Sequence, residues 1–207
     1  MNYFVTGTDT GVGKTFVTAL MTRSLRAAGM DTVALKPISC GDMEDVRLLR
    51  AAADNTLNED SICPCALPLP AAPYTNMLVG GNTVDLELIK KTFQHLRAQY
   101  RSILVEGVGG WLVPIQRNYF VRDLARELGL PVVVVVANRL GAINHTLLTI
   151  ESIRASGLIC GGIVLNQTTL IPDAVAHSNR TVLTELLDVP ILLEVEYGKT
   201  ELGMAVV

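Results

Sequence analysis

The sequence predicts an α/β fold, a single mostly parallel sheet with helices on both faces, and three observations predict it. Short β-branched runs alternate with longer segments of helical period, the pattern of strand–helix–strand units. VVVVVA, residues 132–137, is a continuous apolar run instead of an alternating one and reads as a strand buried on both faces. A glycine-rich turn, GTDTGVGKT at residues 7–15, joins the first run directly to the first helical segment. With 207 residues, 49% of them apolar, the chain has enough material for one well-covered core, so one domain spanning 1–207 is expected.

The expected strands, in order, are YFVTG (3–7), TVALKP (32–37), SILVEG (102–107), VVVVVA (132–137), GIVLN (162–166) and ILLEV (191–195). Between them, apolar residues at helical spacing mark helices near 14–28, 44–53, 84–99, 121–128, 142–155 and 173–187. Gly29, Gly129 and Gly157 fall just past three of these helices, where a chain most readily leaves the helical conformation. SICPCALPLPAAPY, residues 61–74, holds four of the nine prolines and suits neither a helix nor a central strand. It reads as an extended surface loop, either a plain connection or the wall of a ligand cleft.

A net charge of -3, from 17 basic and 20 acidic residues without a run of one sign, offers no long-range attraction to nucleic acid or anionic lipid. A small-molecule substrate is the better expectation. Cys40, Cys63, Cys65 and Cys160 form neither a disulfide framework nor a zinc knuckle, and Cys63-Pro64-Cys65 is one residue short of a redox CxxC pair. Free thiols in a reducing cytoplasm are expected. The chain starts directly with an apolar run and has no basic segment or cleavage site ahead of it, which argues against secretion. The six residues of VVVVVA fall far short of the ~20 a membrane span needs.

The turn at 7–15 has the strand-before, helix-after context of a phosphate-binding P-loop, and the expected fold is therefore P-loop NTPase-like. A strict motif places its first glycine where Thr8 stands, whereas here the glycine is Gly7. The loop from Asp9 through Gly11, Val12 and Gly13, with Lys14, Thr15 and Phe16 opening the helix, would enclose the triphosphate of ATP. Lys14 would reach the β- and γ-phosphates and the Thr15 hydroxyl would hold Mg²⁺. The metal also needs carboxylates, and two candidates sit at strand ends: Glu106, closing ILVE, and Asp45, in a turn where Asp42 and Glu44 are near neighbours. Lys36 ends its own strand before Pro37, placed either to neutralise a developing oxyanion or to snorkel from the core. GVGGW, 107–111, allows close approach to backbone, with Trp111 either packing or touching ligand; Asn166, at another strand end, is placed either to bond an adenine or to form a turn.

Taken together, GTDTGVGKT, KPISCG with a nearby aspartate, VEGVGGWLVP, LGAINHTLLT and GIVLNQ resemble the ATP-dependent dethiobiotin synthetase family, in order, from residue 3 to about 195. The resemblance implies a homodimeric ligase that joins CO₂ to 7,8-diaminopelargonate, passes through a carbamate and a carbamic-phosphoric anhydride, and closes a cyclic urea. It implies that Lys14 and Lys36, with Thr10 beside them, act on the phosphoryl group and carbamate, and that Thr15, Asp45 and Glu106 bind magnesium. Asn166 resembles the adenine contact, Gly107, Gly109 and Gly110 the glycine turn beside the substrate, and Pro70, Ala72 and Pro73 the proline-rich loop next to it. Leu140, Gly141, Ile143 and Asn144 resemble a helix start that receives the substrate carboxylate across the dimer interface. The chain departs from the family in three places. Cys40 stands where Ser or Thr is usual, the link from Gly41 to Asp45 is short, and Leu193 to Glu196 replace a Gly-x-x-Pro element near the purine.

A rival class shares the expected fold: partner-regulated ATPase switches of the chromosome-partition or division-site type. Those carry a second lysine five residues before the P-loop lysine, where this chain has Asp9, and often a basic surface or a C-terminal membrane helix, whereas this chain ends GMAVV.

Overall fold

A computed structural model describes residues 2–172 and 174–201; the GMAVV terminus and residue 173, where the last helix was expected to start, lie outside them. The chain opens with strand β1 (Asn2–Gly7) and helix α1 (Lys14–Ala27), then runs through β2 (Thr32–Leu35), β3 (Ile38–Cys40), α2 (Glu44–Ala52), α3 (Glu59–Ile62), β4 (Cys65–Leu67), α4 (Pro73–Gly80) and α5 (Leu86–Gln99). It continues with β5 (Ser102–Glu106), β6 (Pro114–Gln116), β7 (Tyr119–Phe120), α6 (Val121–Leu128), β8 (Val132–Ala137), α7 (Ala142–Ala155), β9 (Cys160–Asn166), α8 (Ala176–Leu186) and β10 (Ile191–Val195).

Six strands form one parallel sheet in the order β10-β9-β8-β1-β5-β2. The first strand is thus central, and the turn that follows it emerges in the middle of the carboxyl edge, where ligands bind in open α/β sheets. Alternation within β8 explains the two-sided burial. Val132, Val134 and Val136 join the apolar cluster that holds α5, α6, α7 and α8, while Val133 and Val135 join the one built on α1. A third cluster seats α2 and α3 beside α1 through Ala19, Val46, Leu49 and Ile62. The expected fold class is the one observed, and the strand over 132–137 coincides with the run read from the sequence.

The segment 61–74 departs from the expected surface loop. Ile62, Cys63, Cys65 and Leu67 are buried, and β4 pairs in parallel with β3 as a small separate sheet. Pro64, Pro68 and Pro70 fall between elements, and Pro73 opens α4, a position where the missing N–H has no helical partner to lose. Trp111 is packing: it is 4% exposed and meets Phe4 edge-on, with ring centroids 6.4 Å apart.

Leu104, fully buried at the middle of β5, should cost about 3 kcal/mol of stability when changed to alanine, since its cavity cannot close against a packed sheet. Leu186→Ala, at a side chain 58% exposed, should stay within about 0.5 kcal/mol; urea denaturation of both variants checks the contrast.

Candidate active site

The turn after β1 is held from both sides. Thr8 N–H donates to Val135 O at 3.0 Å, and Gly107 N–H donates to Val5 O at 2.9 Å, so the neighbouring strands fix where the loop leaves the sheet. Gly13 ends the loop at φ 87°, and a Cβ there would collide with the side-chain amide of Asn166, so glycine is required twice over. Helix α1 then begins without a side-chain cap. Its first N–H groups, with the positive end of the helix dipole, suit an anion.

Four side chains from four elements meet beside this helix start. Lys36, one residue past β2, donates from Nζ to Glu106 Oε1 at 2.7 Å and also to Asp45 Oδ2. Thr15 Oγ1 donates to the same Glu106 oxygen at 2.7 Å. Glu106 is fully buried, and its Oε2 has no hydrogen-bond partner among the described residues. Asp45 is the acidic residue of its turn that reaches this group; Asp42 instead accepts from Glu44 N–H at 2.9 Å and shapes the start of α2. Burial works against the Lys36 ammonium, but the charges of Glu106 and Asp45 outweigh it and hold its pKa above the ordinary lysine value. Lys14 is lowered: burial dominates, Glu106 opposes it, and Lys36 adds repulsion. Its Nζ rests on the Asp9 carbonyl at 3.2 Å.

These groups open into a cleft of about 690 Å³. Of the residues singled out in the sequence, Thr10, Gly11, Gly13, Lys14, Thr15, Phe16, Lys36, Cys40, Asp42, Glu44, Asp45, Pro70, Ala72, Glu106 and Gly109 line it. Others lie elsewhere. Val12 is buried beneath the loop, and Asp9 contributes its carbonyl to Lys14. Gly107 is small because Phe4 and Val121 press on it, each 3.0 Å from where a Cβ would stand, and Gly110 backs onto Asp9. Pro73 is buried in the first turn of α4. Asn166 stands behind the loop with Nδ2 donating to Val12 O at 2.9 Å, which makes it a brace; its Oδ1 is left without a partner among the described residues. Leu140, Gly141, Ile143 and Asn144 do start a helix, α7, but none lines the cleft.

Sequence reasoning missed two supports. Asn76 is fully buried, accepting from Leu69 N–H at 2.9 Å and donating to Leu69 O at 3.1 Å, and so pins the proline loop against the cleft. Ser39 donates from Oγ to Asp42 O at 2.9 Å and fixes the turn that carries Asp45. Neither has a sequence signal, since each acts through a carbonyl set by the fold. Cys40, on the same wall, has its thiol pushed up to about 11, by burial first and by Cys65 next, with Lys36 pulling the other way. It is a neutral, weak donor near pH 7.

An AAA domain family model matches residues 1–201. The ATP-dependent dethiobiotin synthetase BioD of Akkermansia muciniphila is 42% identical over 205 residues, covering 99% of this chain and 96% of the relative. That of Thermodesulfovibrio yellowstonii is 39% identical over 206 residues, covering 92% and 86%. Among solved structures, the septum site-determining protein MinD of Pyrococcus horikoshii, complexed with Mg-ADP, aligns with a TM-score of 0.56 at 18% identity, over 95% of this chain and 82% of that one. The cell division protein FtsY of Thermotoga maritima aligns at 0.60 and 13% identity, over 97% and 63%. These two likenesses speak to the fold alone. A helix start built for phosphate, a buried lysine–carboxylate cluster beside it and near end-to-end similarity to the two synthetases place the chain in the ATP-dependent dethiobiotin synthetase family.

Proposed function

We infer that the chain carries out the ATP-dependent carboxylation and ring closure of 7,8-diaminopelargonate, giving dethiobiotin, ADP and phosphate. One observation carries the reading: Lys14, Lys36, Thr15, Asp45 and Glu106, distant in sequence, converge on a single cleft at the start of α1.

In this reading an amine of the substrate takes up CO₂ as a carbamate and releases a proton. A carbamate oxygen attacks the γ-phosphorus of ATP while the bond to the ADP oxygen breaks. The second amine then attacks the carbamoyl carbon, phosphate leaves and the ring closes. The attacking oxygen is already anionic and the closing amine is tethered, so the protein's task is position and charge. The N–H groups at the start of α1 bind the phosphates, and Lys14 and Lys36 neutralise charge on the transferring group and the carbamate, with Thr10 at the cleft edge. Thr15, Asp45 and Glu106 suit Mg²⁺, because they offer hard oxygens and Glu106 Oε2 is buried with no partner among the described residues. When bound, the ion would draw charge from the phosphate oxygens.

A second copy of the chain completes the substrate site in this reading. The α7 start, with Leu140 74% exposed and Asn144 exposed, would offer its N–H groups to a substrate carboxylate in the cleft of a partner protomer. With free thiols and ATP as fuel, the reaction belongs to the cytoplasm.

Incubation with diaminopelargonate, bicarbonate and Mg-ATP should yield dethiobiotin by mass, with one ADP per product; ATP turnover without that product would defeat the reading. Lys14→Ala and Lys36→Ala should each lower kcat by about 10²-fold or more, as loss of transition-state charge does, while unchanged turnover in steady-state kinetics would remove that lysine from the site. Cys40→Ser should keep or raise activity, with a lower KM for diaminopelargonate, because a hydroxyl donates more strongly than a neutral thiol.

A further inference from the structure

Lys36 stands between the two carboxylates assigned to the metal. Its ammonium bonds Glu106 Oε1 at 2.7 Å and Asp45 Oδ2, and Thr15 Oγ1 donates to that same Glu106 oxygen. The Glu106 side chain is sealed from solvent and that of Lys36 is 6% exposed, so this contact lies in a medium that screens charge poorly. The two carboxylates assigned to the ion are thus gathered around a positive charge supplied by the chain itself, and Thr15 is tied to one of them. An ammonium on Glu106 Oε1 and Asp45 Oδ2 and a divalent cation held by the same two carboxylates, through the free Glu106 Oε2, compete for their charge and repel each other at that range. Lys14 lies in the same cleft, with its Nζ on the Asp9 carbonyl at 3.2 Å.

We propose that Lys36 is an internal counter-cation, holding Asp45 and Glu106 in place for the metal while keeping free divalent ions out until nucleotide phosphates draw its ammonium away. The inference rests on Thr15, Asp45 and Glu106 being the metal ligands. Two physical needs meet in one side chain. A buried carboxylate requires a compensating charge before any ligand arrives, and the entering triphosphate requires a mobile cation to meet it. The flexible four-carbon stem lets the ammonium leave one anion for another within the same cleft. Metal and nucleotide binding are therefore coupled through this residue: each lowers the cost of the other.

The test measures Mn²⁺ binding to nucleotide-free protein from the electron paramagnetic resonance signal of the free ion. Wild type should bind weakly, Lys36→Met about tenfold or more tightly, and Lys36→Arg, which keeps the charge, as weakly as wild type. Lys36→Met no tighter than wild type would overturn the proposal. A second measurement does not depend on that variant folding: millimolar Mg²⁺ alone should leave the melting temperature of wild type unchanged, whereas a clear rise with Mg²⁺ alone would overturn the proposal. Mn²⁺ that fails to bind wild type even with ADP present would instead defeat the metal assignment itself, and the inference with it.

Discussion

The contact between Lys36 and Glu106 organises the rest of the site. It follows from strand register. In the β2–β5 pair Leu35 lies opposite Val105, so the next residue of each chain, Lys36 and Glu106, comes abreast just as the sheet ends. Glu106 has no exposure, and a carboxylate buried alone would cost on the order of several kcal/mol. Its neighbour supplies the compensating charge within hydrogen-bond distance, and Thr15, from the start of α1, adds a second donor to the same oxygen. One buried ion pair thereby ties the outer strand of the sheet, its interior and the phosphate-binding helix to a common point.

The cleft that results is polarised. One side carries the lysines, the helix start and the carboxylates; the other is Cys40, Pro70, Ala71 and Ala72, uncharged groups with few donors. The neutral side is no less defined. Asn76 is fully buried and exchanges two hydrogen bonds with Leu69, while Gly41 stands so close to Pro70 that a Cβ would meet it at 3.0 Å. In the proposed reaction a nucleotide and its metal would take the charged side, and an aliphatic substrate chain the neutral one.

How much of this was legible in the sequence depended on distance along the chain. Strands such as β8 read correctly because burial on both faces leaves an unbroken apolar run, and the phosphate loop read correctly because its glycines, lysine and threonine are contiguous. The small elements α3, β3, β4, β6 and β7 did not, since each is too short to show a period; α4 was hidden because its first two residues fall in the proline-rich stretch read as a loop. Lys36 and Glu106 could be singled out as charges ending apolar strands, but their pairing needed the register. Gly107 and Asn166 carry a constraint that the sequence did not show: Phe4 and Val121 press on the glycine, and the asparagine amide donates to the Val12 carbonyl, contacts set by the fold behind each strand end.

The tie between Asn166 and Val12 joins residues 154 positions apart. During synthesis the phosphate loop emerges among the first residues, yet its brace is made only once β9 has docked on β8, and β1 itself waits for β5 and β8 to flank it. The nascent N-terminal half therefore holds the loop's sequence without its shape, so nucleotide capture belongs to the nearly finished chain.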